Sequence, residues 1–143
     1  MTKKLLIIIS ILGFLDATYL LIIKLTANQA LCVPGLGDCW TVNTSSYSEW
    51  NGIPLSALGA LAYIAILLIT IFRTKIDLLR NFGHILTLGI ALSGFIFSIY
   101  LTYLQFAVIK AICPFCLVSA VTMTTVFVLS IIRYLEIQRQ HEQ

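Results

Sequence analysis

Four long apolar runs, at about 5–25, 53–73, 83–106 and 113–134, occupy most of the chain, and polar residues collect between them and at the two ends. Each run reaches the roughly 20 mainly apolar residues that a helix needs to cross a bilayer. The pattern predicts an all-α integral membrane protein. Its four transmembrane helices form one bundle, and one long extracytoplasmic loop, 26–52, joins the first helix to the second. The spans and their loops account for residues 1–143 as a single membrane domain. No segment is left for a separate soluble domain, and there is no internal repeat, low-complexity tract or Pro/Gly/Ser-rich linker.

Composition agrees. Hydrophobic residues make up 59% of the chain and charged residues 10%, against about 25% charged in soluble globular domains. Two features could spoil the first span. Lys3 and Lys4 precede it, as in a secretory signal peptide, but the apolar run exceeds the roughly 7–15 residues of a signal core and no A-x-A pattern follows. Asp16 lies near its middle and costs about 3 kcal/mol there, whereas the fourteen Leu, Ile and Phe residues of the run each contribute about −0.3 to −0.6 kcal/mol. The span wins.

Lys and Arg set the orientation. Lys3, Lys4, Arg73, Lys75, Arg80, Arg133 and Arg139 fall at the N-terminus, the second connection or the C-terminus, and only Lys24 and Lys110 flank the other side. Both termini are therefore predicted to be cytoplasmic in an inner or plasma membrane, with the first loop and the turn before Cys113 facing the periplasm or exterior. Paired cysteines persist as disulfides in such an oxidising space. The net charge of +3 follows from this inside bias and needs no nucleic-acid partner; the partner that the spans imply is membrane lipid.

All four cysteines lie on the predicted outer side. Cys113-Pro114-Phe115-Cys116 opens the fourth run, and Cys32 and Cys39 lie in the long loop. Pro114 suits the first position of a helix, where its missing N–H costs nothing, which makes Cys113 the cap and Cys116 a first-turn residue. Helix N-termini stabilise thiolates. Burial in lipid opposes this, and the sequence leaves the balance open. Cys116 lies about 4.5 Å deeper along the helix axis than Cys113, so the deeper sulfur is assigned to a lipid-side acceptor and the shallower, more accessible one to exchange with the loop. The stretch Val33-Pro34-Gly35-Leu36-Gly37-Asp38 between the loop cysteines is turn-forming. It can close to disulfide distance and open again, as exchange through a mixed disulfide requires.

Blander readings are available. Structural zinc sites use short cysteine knuckles in polar surroundings, whereas here one pair is widely spaced and the other starts a lipid-buried helix; no metal site is predicted. The loop pair could be a structural staple. Asp16, Thr18, Ser93, Ser98, Tyr100 and Tyr103 lie within spans and are expected to face the bundle interior, mostly for interhelical hydrogen bonds. Trp40 and Trp50 suit the membrane interface. His84 lies at the cytoplasmic end of its helix and His141 in the tail.

The stretch Phe97-Ser98-Ile99-Tyr100-Leu101-Thr102-Tyr103-Leu104-Gln105, running through Lys110 into Cys113-Pro114-Phe115-Cys116-Leu117-Val118-Ser119-Ala120, resembles the third and fourth helices of the vitamin K epoxide reductase family in its bacterial branch. So do Gly13-Phe14-Leu15-Asp16-Ala17-Thr18-Tyr19-Leu20 in the first helix, and Gly52-Ile53-Pro54-Leu55-Ser56 with Gly59 to Tyr63 in the second. The resemblance covers nearly the whole chain in order. It implies a bundle around a quinone pocket, with Cys113 and Cys116 as the active-site pair and Cys32 and Cys39 as the shuttle pair. It also implies a loop serine near the quinone, matched by spacing at Ser45, with Ser46 adjacent; Phe115 is a second candidate quinone contact. Relatives that reduce vitamin K epoxide carry a tyrosine one turn after the C-x-x-C, where Ala120 stands here, which argues against that substrate. The thioredoxin-like domain fused to many bacterial relatives is missing from this sequence, so the thiol partner is expected to be a separate extracytoplasmic thioredoxin-like or DsbA-like protein.

The sequence thus reads as a quinone-dependent thiol–disulfide oxidoreductase that supports disulfide formation, with a ubiquinone, menaquinone or phylloquinone type of acceptor. A DsbB-type protein is the nearest functional rival, but it carries its C-x-x-C in the first outward loop and its wide pair in the second, the reverse of the order here. The rival from another class is a structural or transport membrane protein with structural disulfides. The predicted topology has a direct test: an alkaline phosphatase fusion after Arg139 should be inactive, and an impermeant thiol reagent should label reduced Cys32 or Cys39 in intact cells. An active fusion would reverse the orientation.

Overall fold

The computed structural model describes residues 1–143 except Pro34 and Leu36. Four helices are long and apolar enough to cross a membrane: α1 (Thr2–Thr26), α3 (Leu55–Phe72), α4 (Asp77–Leu104, continued by a π turn at Gln105–Ile109) and α5 (Pro114–His141). The loop between α1 and α3 carries a short helix α2 (Cys39–Thr44) and a two-stranded hairpin, β1 (Glu49–Trp50) with β2 (Ile53–Pro54).

Two of these helices, α4 and α5, overrun the apolar runs that announce them. α4 begins at Asp77 rather than 83, and α5 continues to His141 rather than 134, because hydropathy falls at Arg80, Asn81 and His84, and again beyond Ile132, while the backbone stays helical. Helix ends follow local chemistry. α1 stops at Ala27 in the left-handed region (φ 48°), and Lys110 (φ 54°) ends the π turn the same way. Pro114 occupies the first turn of α5 behind the cap Cys113. The hairpin register pairs Glu49 with Pro54 and Trp50 with Ile53, leaving Asn51 (φ 53°) and Gly52 (φ 81°) as the turn. Two positive φ values in an Asn-Gly pair make a type I′ turn, whose twist matches the strands.

α1 packs on α3 and α5, and α4 packs on the same two, so α1 and α4 stand at opposite corners. The interior core joins Leu6 and Ala17 of α1, Tyr63 and Ile66 of α3, Ala91 of α4 and Met123 and Val126 of α5. Without a hydrophobic drive between helices in lipid, close approach at small residues supplies the association energy. Gly13 illustrates this: a Cβ there would overlap the Tyr63 ring. Large apolar side chains such as Leu12, Leu15, Ile96, Ile99 and Val121 point outward, as a lipid-facing surface requires.

Of the in-span polar residues, Asp16, with a buried carboxylate oxygen, and Ser98, in the wall of an internal cavity, face inward as expected, and the others depart from it. Ser93, Tyr100 and Tyr103 are exposed on the outside of the bundle, and the Thr18, Ser93 and Thr102 hydroxyls donate to carbonyls one turn back on their own helices at 2.8, 3.0 and 2.8 Å. Serine and threonine satisfy themselves on a helix backbone this way, so they need no interior partner. Tyrosine near a span end can place an apolar ring against lipid with its hydroxyl toward the interface.

Replacing Gly13 by Val should lower the thermal midpoint in detergent by the equivalent of about 1–3 kcal/mol, the usual cost of overpacking. Gly89→Ala, where an added Cβ meets nothing within 4 Å, should be neutral or slightly stabilising. Equal effects at both positions would contradict the Gly13–Tyr63 contact.

A file of four thiols ending at a membrane cavity

The loop is fastened to the end of α1 by three side chains. The Tyr19 hydroxyl donates to the Leu31 carbonyl, and Asn43 Nδ2 donates to the Leu20 carbonyl at 3.0 Å. Lys24 Nζ donates to the Asn43 carbonyl at 3.1 Å and to Ser48 Oγ, and pairs with Glu49 Oε1 at 3.0 Å. Its side chain is only 9% exposed, so this ion pair is screened less than a surface pair would be. Asp38 then caps α2, its Oδ1 accepting from Thr41 N at 3.2 Å, which fixes Cys39 as the first residue of that helix.

A second fastening joins the loop to the turn before α5. Asp38 N donates to the Ile112 carbonyl at 2.9 Å. Gly37 (φ 106°) lies so near that carbonyl that a Cβ would come within 2.5 Å of the oxygen, so only glycine lets the two backbones meet. From inside the bundle the buried Gln105 completes the turn. Its carbonyl accepts from Lys110 N and Ala111 N, and its Oε1 accepts from Cys113 N at 3.0 Å.

These fastenings align the sulfurs. The four cysteines pack in one cluster, Cys39 beside Cys32 on one side and Cys113 on the other, and Cys113 beside Cys116, in the order Cys32, Cys39, Cys113, Cys116. All four are free thiols. Cys113 Sγ also accepts from Cys116 N at 3.4 Å at the helix start. Cys39 and Cys113 are buried, at 3% and 0% exposure, while Cys32 and Cys116 at the ends of the file are half-buried. One expectation is thereby corrected: Cys113 is shallower along the helix but is the less accessible sulfur, because the loop seals it and leaves Cys39 as its neighbour.

The net effect of the thiol contacts and burial on Cys32, Cys39 and Cys113 is against ionisation. The Cys116 contact pushes Cys113 up to about 12, opposed by the Cys39 contact and reinforced by burial. Burial, then the Cys39 contact, pushes Cys32 up to about 12. The Cys113 contact and then burial raise Cys39 above the ordinary thiol range.

Beyond Cys116 lies a cavity of about 220 Å³, well over ten times the roughly 10–15 Å³ that one water needs. Its wall is mainly apolar, with Leu101, Phe97 and Met123 among its residues, and Cys116 is the one cysteine in it. Ser45 lies in the wall with its hydroxyl donating to the Val42 carbonyl at 2.8 Å. Ser46 is not in the wall, and neither is Phe115, which packs against Tyr19 with ring centroids 5.0 Å apart. Phe115 therefore braces the side chain that holds the loop. Ala120, one turn beyond Cys116, is also in the wall. Sequence reading missed Gln105, Asn43 and Ser56. Ser56 Oγ is buried at the wall with no hydrogen-bond partner among the described residues, and the visible sign for Gln105 was an amide at the end of an apolar span.

Fold and site together define a multi-pass membrane protein with four cysteines clustered at one end of its bundle. Residues 4–131 match the model of the vitamin K epoxide reductase family, and the chain belongs to that family. Thiol-disulfide oxidoreductase LTO1 of Arabidopsis thaliana is 28% identical over 132 residues, covering 87% of this chain and 35% of that protein. The chain thus spans about a third of the length of that relative.

The raised thiols predict a pH dependence. A raised pKa makes the thiolate scarcer at any given pH, so alkylation of Cys32 in the fully reduced protein should climb about tenfold per pH unit through pH 9, past the point near 8.5 where a free cysteine levels off. Levelling near 8.5 would show that the contacts do not suppress ionisation.

Proposed function

We propose that the chain is a membrane thiol–disulfide oxidoreductase that carries electrons from a soluble extracytoplasmic dithiol protein through Cys32 and Cys39 to Cys113 and Cys116, and on to a quinone. The carrying observation is the unbroken file of thiol contacts from the half-exposed Cys32 to Cys116 at the cavity wall. A structural staple would leave Cys39 paired with Cys32 alone. Its contact with Cys113 favours exchange.

The resting enzyme for turnover has Cys113 and Cys116 joined. A partner dithiol first reduces a Cys32–Cys39 disulfide and is itself oxidised. Cys39 thiolate then attacks Cys113, forming a Cys39–Cys113 bond and expelling Cys116 as thiolate at the cavity. Cys32 next attacks Cys39, restoring the loop disulfide and releasing Cys113. Two electrons have moved from loop to helix pair, and the two protons lost by the loop thiols match the two gained by the helix thiols. Burial of the middle pair keeps competing thiols away from this exchange.

The cavity suits the family's acceptor on three counts: its volume, its largely apolar wall and the unpartnered Ser56 hydroxyl facing a polar atom of any occupant. A quinone there supplies the oxidising step, taking two electrons and two protons from the Cys113–Cys116 dithiol. Cys116 is the wall residue that would donate, and Ser45, Ser56 and Gln105 are among the polar wall groups that would orient the ring. With Ala120 where epoxide-reducing relatives carry a tyrosine, the reading does not extend to vitamin K epoxide. The same reading places the thiols on the periplasmic or exterior side with both termini in the cytoplasm.

Quinone absorbance, followed with either dithiothreitol or a reduced thioredoxin-like protein as donor, separates the two pairs. Cys116→Ala should cost a thousandfold or more with both donors, the order expected when a nucleophile is removed. Cys32→Ala should retain the dithiothreitol reaction and lose the protein reaction. Cys116→Ser should accumulate a Cys39–Cys113 disulfide, visible by mass spectrometry of non-reduced peptides. Absence of any loop-to-helix cross-link would sink the relay, and equal behaviour of Cys32→Ala and Cys116→Ala with both donors would remove the shuttle role.

A further inference from the structure

At the end of the bundle opposite the cysteines, three helices close around a small polar void. Thr70 and Arg73 come from the end of α3, His84 and Thr87 from α4, and Ser130 and Arg133 from α5. Its volume is about 10 Å³, room for a single oxygen-sized group.

Two polar atoms on residues that line this void lack partners. Thr70 Oγ1 and His84 Nδ1 are shielded from solvent with no hydrogen bond among the described residues, and Thr70 as a whole is 2% exposed. The other two hydroxyls are committed as donors: Thr87 to the Gly83 carbonyl at 2.8 Å and Ser130 to the Val126 carbonyl at 2.7 Å. His84 is held in place by Tyr134, ring centroids 5.5 Å apart. Buried polar atoms left unpaired cost on the order of 1–3 kcal/mol each, so a pair of them beside one void points to an occupant.

Charge says what kind. Arg73 and Arg133 are both half-buried and close enough for their charges to repel. Among the described residues the one ion pair is Lys24–Glu49 at the other end of the molecule, so neither guanidinium has a carboxylate within 4 Å. Glu136 bears on Arg133 from outside the void, where it accepts from the Thr2 hydroxyl at 3.3 Å. His141 is the other titratable group in reach of His84. A water molecule would satisfy Thr70 and His84 but leave the two arginines repelling each other. One anionic oxygen answers both needs.

We propose that this void is the inner end of a binding site for a phosphate-type anion, with one oxygen seated between Thr70, His84, Arg73 and Arg133 and the rest of the group at the membrane surface. Arginine offers such a group a bidentate fork, and basic pockets between transmembrane helices are where anionic headgroups bind. The volume excludes burial of a whole phosphate, which is why the site lies at the helix ends.

The test uses the intact protein in nanodiscs of phosphatidylcholine alone, with phosphatidylglycerol added, or with inorganic phosphate in the buffer, reading the thermal midpoint. Phosphatidylglycerol should raise it. Arg73→Gln and Arg133→Gln should each weaken the apparent lipid affinity about fivefold, while Lys75→Gln, in the neighbouring turn, should leave it unchanged. Because the arginine variants could fail to fold, Thr70→Val provides a shape-conserving second case: it should be at least as stable as the parent in phosphatidylcholine alone and respond less to phosphatidylglycerol. Stabilisation by inorganic phosphate equal to that by the lipid would assign the site to the free anion. An equal loss in Lys75→Gln would reduce the effect to general surface attraction and overturn the site. So would an unchanged response in Thr70→Val together with the arginine variants, or no stabilisation by either anion, which would leave water as the occupant.

Discussion

The hydrogen bond from Asp38 N to the Ile112 carbonyl is the contact on which the thiol file depends. The chain between α4 and α5 is not helical from Lys110 to Cys113, yet it lies at the mouth of a membrane bundle, where unpaired backbone groups are costly. Gln105 satisfies three of its N–H groups from within. The Ile112 carbonyl is left to the loop. The bond that meets this need also places Asp38, and hence Cys39 one residue on, against Cys113. Solving the backbone problem and aligning the sulfurs are thus one event, and the requirement for glycine at position 37 follows from the same close approach.

Hydropathy made the four spans legible because lipid imposes so simple a rule on them, and Pro114 made the start of α5 legible because its ring fits only a few helix positions. The spans' outer limits were not legible, since a helix persists through polar flanks that a lipid-transfer scale scores as loop. Asn51-Gly52 carried a hairpin signal in the open, but strands of two residues have too little alternation to announce themselves. The loop's contacts were beyond reach for a different reason. Tyr19, Asn43 and Lys24 act on residues 12, 23 and 19 to 25 positions away, and no local pattern encodes such pairs. Lys24, read as a minor entry in a charge bias, is the clamp between α1 and the loop.

The four cysteines were identifiable by type and place, but their accessibility was not. Depth along a helix axis is a one-dimensional argument, and the loop adds a second dimension by folding over the shallower sulfur. The outcome is chemically sensible. A cysteine pair reachable from water would be oxidised by any passing disulfide, or reduced by any passing thiol once it is a disulfide. Covering Cys113 with Cys39 admits only one exchange partner, and Cys116, around the helix, keeps a separate opening to the cavity.

Suppressed ionisation has a consequence for direction. Exchange rates depend on the thiolate fraction of the attacker and on how well the departing sulfur carries charge. With every sulfur reduced, Cys32 and Cys39 are both held above the ordinary thiol range and the loop end of the file is quiet. Once Cys113 and Cys116 are joined, the Cys113 thiol that was the largest influence on Cys39 is gone, so Cys39 becomes easier to ionise in the state where its attack is productive. In the proposed exchange the expelled Cys116 would emerge in the first turn of α5, where the helix dipole favours an anion. On the proposed relay, oxidation of the helix pair would activate the loop pair, and an oxidant at the cavity would carry the sense of electron flow: each 30 mV by which it exceeds the thiol donor is worth about 1.4 kcal/mol for a two-electron transfer.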